Sequence, residues 1–218
     1  IPRGAGLRML DIGTGANLIY PLIAHAEYGW HCVGSDIDRK ALEIAADHLA
    51  RNQSFAAAIS LRHQPARTRV FSGIIAGKEL FAASLCNPPF HASAAEAAAG
   101  SGRKWRNLGR AGPRGQRPAL NFGGQSNELW CDGGEAGFLR QMIEESAAIP
   151  DQVCWFTSLV AKSANLPALR QQLKHAAACE VREVPMAQGN KQSRLLAWTF
   201  LTAKARTCRL TEATHGSN

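Results

Sequence analysis

None of the six cysteines stands in a C-x-x-C spacing, and the seven histidines show no ligand spacing. Those absences argue against a zinc site or a redox pair, and no metal is expected. Cys32, Cys86, Cys131, Cys154, Cys179 and Cys208 are scattered, most of them in apolar runs. They read as reduced, buried thiols of a cytoplasmic protein. No apolar run approaches the roughly 20 residues of a membrane span, so no membrane segment is expected. Residues Ile1–Leu7 lack a basic start followed by an apolar stretch, so no secretory signal is read there. The chain opens on Ile1 rather than Met and reads as a piece of a longer protein. No internal repeat is visible.

Acid is the scarce charge. Lys+Arg number 25 against 17 Asp+Glu, a net charge of +8, and no acidic residue occurs between Ala97 and Ser126. That balance points to an anionic partner. Apolar material is ample: 45% of the 218 residues are hydrophobic, enough for a core and too many for a wholly disordered chain. The length suits one domain with an embellishment, and a monomer is expected.

Along the chain, short β-type runs alternate with helical stretches. Strands are predicted at Arg8–Ile12, Trp30–Ser35, Ala57–Arg62, Phe81–Cys86, Gln152–Ser158, Glu180–Pro185 and Arg194–Leu201. Helices are predicted at Leu18–His25, Arg39–Arg51 with Asp38 as N-cap, Gly134–Ala148 and Leu166–Ala178. The alternation implies an α/β, doubly wound, parallel sheet, and the last two strands, with no helix between them, an antiparallel edge. His91–Asp132 breaks the pattern: seven glycines and two prolines interrupt any periodicity, and a loop this long suggests function or disorder. Thr202–Asn218 is polar and reads as a frayed end.

Two motifs carry the chemistry. The first strand ends in Asp11-Ile12-Gly13-Thr14-Gly15-Ala16-Asn17. Glycines there let backbone N–H groups approach a ligand. A nicotinamide-dinucleotide fingerprint wants a third glycine at position 18, where Leu18 stands, which argues against an oxidoreductase. With Asp36 ending the second strand, the pattern fits S-adenosylmethionine, Asp36 accepting from both ribose hydroxyls. A tight turn and a surface Asp is the plain structural alternative.

The second motif, Asn87-Pro88-Pro89-Phe90, ends the fourth strand, where ligands of open α/β sheets bind. The Asn87 side-chain carbonyl and the Pro88 backbone carbonyl can each accept one N–H of an exocyclic amine, the prolines aim them, and Phe90 offers a face for stacking. A Pro-Pro strand terminator beside a core Phe would explain three of the four residues but not Asn87. The acid-free loop adds Arg103, Lys104 and Arg106 around Trp105, suited to phosphates and a splayed base, although a solvated loop is an equal reading. Lys191 and Arg194, in the connection between the last strands, are further candidates for RNA contact, and an ordinary polar hairpin is again an equal reading.

With these residues in hand, the chain resembles the class I methyltransferases that modify adenine N6 in RNA. Within them it is most similar to the bacterial 23S ribosomal RNA (adenine-N6)-methyltransferase family, the RlmF type. Leu10–Pro21, Glu27–Gly34, Leu85–Ser93, Arg106–Gly109, Leu120–Glu135, Met142–Ser146, Trp155–Val160 and Met186–Phe200 carry the likeness. Leu120–Glu135 and Met186–Phe200 are its specific part, because N-P-P-F alone is shared with DNA and protein-glutamine enzymes.

The resemblance implies a seven-stranded Rossmann-like methyltransferase sheet over residues 1–202, with 91–132 as a basic substrate loop and 203–218 as a polar tail. It implies S-adenosylmethionine as donor and 23S rRNA as partner. Asn87, Pro88, Pro89 and Phe90 match the catalytic tetrad. Asp11, Gly13, Thr14, Gly15, Asn17, Asp36 and Asn87 are the expected cofactor contacts. The family carries a further N-terminal stretch that this sequence does not show, and the Arg/Gly/Pro-rich stretch from Gly109 to Pro118 departs from the family pattern.

Overall fold

A computed structural model describes residues 1–89, 131, 133–188 and 191–215, with backbone only at 187, 188, 191, 192 and 215. Seven strands form one mixed sheet: β1 (Arg8–Ile12), β2 (His31–Asp36), β3 (Ile59–His63), β4 (Phe81–Cys86), β5 (Val153–Val160), β6 (Glu180–Gln188) and β7 (Lys191–Thr199). Their order is β3-β2-β1-β4-β5-β7-β6. The first five are parallel, and β7 runs antiparallel to both β5 and β6. The last pair is thus the expected antiparallel edge, but β7 inserts between β5 and β6. The chain moves outward from β1 to β3 and returns on the other side of β1 as β4. That reversal places the topological switch point at the carboxyl ends of β1 and β4, where open α/β sheets bind ligands.

Among the described residues the sheet is accompanied by helices α1 (Ile19–Tyr28), α2 (Arg39–Ala50), α3 (Gln53–Ala56), α4 (Gly134–Ala147), α5 (Leu166–His175) and α6 (Ala203–His215), with a 3-10 turn at Ser163–Asn165. The Asp38 carboxylate accepts from the N–H groups of Lys40 and Ala41, capping α2 as its position predicts. Strand alternation divides the core between the two faces. Leu7 and Met9 join one buried layer with Trp30 and Leu49, whereas Leu10 and Ile12 join the other with Met142, Phe156 and Trp198.

Two braces were invisible in composition. Glu145 of α4 accepts from the N–H groups of Val70, Phe71 and Ser72 and so binds the irregular segment before β4. Ser146 accepts from the Trp198 indole N–H at 2.9 Å. Met142–Ser146, part of the family likeness, therefore serves the core.

The polar end is corrected over Ala203–His215, which is helical. Arg206, Leu210 and Ala213 recur at helical spacing on its inner face. Arg206 is only 7% exposed, donates to the Leu201 carbonyl and pairs with Glu180. Its guanidinium lies 4.5 Å from the Trp155 ring centroid. Leu210 and Ala213 rest on the Leu7 and Met9 layer. A stripe whose largest member is an arginine escapes a hydropathy reading.

Candidate functional site

Strand register brings the two motifs together. Ile12 is level with Ser35 on β2 and with Cys86 on β4, so the glycine turn, Asp36 and Asn87 share one sheet edge. Gly13 and Gly15 take φ of +73° and +62°, which L side chains resist. The Gly13 and Thr14 N–H groups donate to the Ser35 carbonyl at 2.9 and 3.0 Å. The Gly15 N–H donates to Asp36 Oδ2 at 2.9 Å, and the Asp38 N–H to Asp36 Oδ1 at 2.8 Å. Asp36 thereby ties the turn to the start of α2. It is 4% exposed, and burial pushes its pKa upward against those N–H bonds. Each oxygen retains lone-pair capacity for a further donor.

Thr14 folds over β2 because residue 34 is glycine: a Cβ on Gly34 would come within 2.9 Å of Thr14 Oγ1. Leu18, where a dinucleotide motif would have glycine, takes the left-handed conformation at φ 52° while its side chain is buried in the core. The backbone demand is one glycine would meet, but here the side chain fills space.

Asp11 is 0% exposed, and among the described residues neither of its carboxyl oxygens has a hydrogen-bond partner. Burial pushes its pKa up to about 7; the nearby Thr14 hydroxyl opposes the shift and Asp36 adds repulsion. Thr14 Oγ1 also has no partner within ordinary hydrogen-bond geometry. Two buried, unsatisfied polar groups beside a glycine turn are costly for a fold and fit a site that a donor-bearing ligand completes.

Asn87 is exposed, Pro88 buried and Pro89 half-buried just past β4. Two residues that sequence reading missed brace this strand end. Thr157 Oγ1 donates to the Ser84 carbonyl at 2.8 Å and Ser158 Oγ to the Cys86 carbonyl at 3.4 Å. Their available signal was a Thr-Ser pair inside an otherwise apolar strand. Glu135 was missed as well: it is 1% exposed and accepts from the N–H groups of Ala161 and Lys162 and from the Asn165 side-chain amide. Asn17 lies just beyond the turn and is exposed. Arg194 is level with Val160 at the end of β5, on the same edge as Asn87. Phe90, Arg103, Lys104 and Arg106, and the Lys191 side chain, lie outside the described residues. Among the described residues no His/Cys/Asp/Glu group could hold a metal ion, and no helix is long and apolar enough to cross a membrane.

The fold as a whole aligns with methyltransferase domains of known structure. The hMettl16 catalytic domain in complex with MAT2A 3'UTR hairpin 1 aligns over 90% of this chain and 65% of its own, with a TM-score of 0.73 at 25% identity. The same domain with hairpin 6 gives 0.71 at 26% identity, with the same coverage of both chains. Residues 1–202 match the RNA methyltransferase family Methyltransf_10, and the chain belongs to that family. Ribosomal RNA large subunit methyltransferase F of Pseudomonas aeruginosa strain PAO1 is 59% identical over 206 residues, 94% of this chain and 61% of that protein. Its counterpart in Pseudomonas syringae pv. syringae strain B728a is 57% identical over 201 residues, 92% of this chain and 61% of that protein. The chain thus spans about 61% of the length of these curated relatives.

Proposed function

We propose that this chain transfers a methyl group from S-adenosylmethionine to the N6 amine of an adenine in 23S ribosomal RNA, in the cytoplasm. The observation that carries the reading is the meeting of the glycine turn, Asp36, the unsatisfied Asp11 and Asn87 at one sheet edge. The names of the relatives point to large-subunit rRNA.

S-adenosylmethionine supplies a sulfonium methyl already activated toward nucleophiles. Asp36 accepts from the ribose hydroxyls with the lone pairs left by Gly15 and Asp38. Asp11, ionised, accepts the donors it lacks, and Thr14 adds a hydroxyl. The Gly13 and Thr14 N–H groups stay on the Ser35 carbonyl and the Gly15 N–H on Asp36, which holds the glycines in their left-handed conformation.

At the same edge, the Asn87 side-chain carbonyl and the Pro88 carbonyl accept the two N–H bonds of the adenine amine. This aims the nitrogen lone pair at the methyl group. The new N–C bond forms as the S–C bond breaks, and the amine proton leaves to water after transfer, so no strong base is required. Phe90 stacks on the base, which must first leave its helix or loop stack. Thr157 and Ser158 keep the end of β4 from drifting.

The test is transfer of labelled methyl to rRNA from cells that lack the enzyme. Wild type labels an adenine N6, and Asn87→Ala lowers the rate by about a hundredfold or more. Equal labelling by both proteins overturns the assignment, as does label that enters only DNA or protein glutamine.

A further inference from the structure

Glu135 is a buried carboxylate with no cation beside it among the described residues. All three of its donors come from the turn that follows β5: the N–H groups of Ala161 and Lys162 and the Asn165 amide. A buried charge is an expensive way to fix a surface turn, because each ion taken from water costs several kcal/mol before its bonds repay it. What the turn presents is Lys162, whose side chain is exposed and has no ion-pair partner among the described residues.

The location of that lysine is informative. Ser84 of β4 is level with Phe156 of β5, so Asn87 comes level with Leu159, three residues before Lys162. Adjacent strands lie about 4.8 Å apart, which puts Lys162 on the rim beside the Asn-Pro-Pro segment. Arg194, level with Val160 on the next strand, stands on the same rim. Among the described residues, the acids Asp11, Asp36, Asp38 and Glu135 around this edge are all buried, whereas Lys162 is exposed to solvent.

We propose that Lys162 is an RNA-phosphate contact of the methyl-transfer site and that Glu135 is the positioning residue that holds it beside Asn87. The proposal rests on the RNA-methylating reading above and adds two residues to it. Lys162 neutralises a phosphate next to the adenine on Asn87 and releases its counterion. Glu135 acts only through the turn and touches neither RNA nor cofactor.

The experiment measures binding of a 23S rRNA fragment at several salt concentrations. It uses the natively encoded protein, with any flanking chain retained, and titrates S-adenosylmethionine in parallel. Lys162→Gln is expected to weaken RNA binding about three- to tenfold and to lower the salt slope by roughly 0.7–0.9, the share of one phosphate contact. It raises KM for RNA at unchanged kcat and leaves S-adenosylmethionine affinity unchanged, and Lys162→Arg restores binding. Glu135→Gln reproduces the RNA defect with Lys162 still in place. Because Lys162 is exposed, its variants fold even if Glu135→Gln does not. Wild-type RNA affinity and slope in Lys162→Gln overturn the proposal, and so does an equal loss of cofactor affinity. A wild-type protein that neither binds nor methylates the rRNA overturns the functional reading instead, before any variant is compared.

Discussion

Two carboxylates serve the two ends of β1, and the fold treats them in opposite ways. At its start, Arg8 meets Glu79, which also pairs with Arg62 at 2.6 Å and accepts from the Ala76 N–H. The Arg62 hydrogen bond leads in pulling the Glu79 pKa down to about 2. Near its end, Asp11 has no ion-pair partner and no donor in hydrogen-bonding geometry among the described residues, and burial raises it to about 7 against the nearby Thr14 hydroxyl. One end is a finished joint. The other leaves a buried carboxylate unsatisfied among the described residues, which fits the binding edge proposed above.

The sharpest way to break that comparison is Asp11→Asn. The native Asp11 pKa lies above its unfolded value of 3.8, so ionising it opposes folding. That penalty is absent below about pH 4, grows between about pH 4 and 7, and is full above 7. Asp11→Asn should therefore raise the stability of the ligand-free protein at pH 8 by on the order of 2–4 kcal/mol, with little gain at pH 4. Urea midpoints across that range check it, and a variant less stable than wild type at pH 8 contradicts the account. The same substitution should weaken S-adenosylmethionine binding, and wild-type affinity should fall as pH drops below about 7.

Gly34→Ala tests the turn itself. The new methyl displaces Thr14, costing about 1–2 kcal/mol and loosening the cofactor site, as a melt and a titration would show. At the opposite edge, Glu79→Gln should cost about 1 kcal/mol near neutral pH, because the pair is partly exposed and screened. The Glu79 pKa is depressed, so its contribution is present above about pH 4.5 and disappears as pH falls toward 2. It should leave methyl transfer unchanged, since no proposed contact passes through it. Together the two carboxylates favour maximal stability of the ligand-free protein near pH 4–5. Bound S-adenosylmethionine should move that maximum upward, and melts with and without it measure the shift.

The motifs were legible because their chemistry is local. The glycine turn needs left-handed φ within three residues, and Asn87-Pro88-Pro89 terminates a strand. The strands around them were legible from apolar alternation, apart from a few end residues. Glu135, Thr157 and Ser158 were not, because a polar residue that braces a distant backbone looks in one dimension like any other polar residue. The same holds for α6, whose inner face depends on a buried Arg206 that composition counts as surface.

By itself, the sequence determined the α/β class, the two strand-end motifs and the resemblance to adenine-N6 methyltransferases, all carried by short contiguous stretches. Only the tertiary structure decided that β7 lies between β5 and β6, that Asp11 is buried with no hydrogen-bond partner among the described residues, and that the turn after β5 hangs on the buried Glu135. Each of these depends on which strands become neighbours and which groups lose water on packing. Both are set by long-range burial, which no local spacing records.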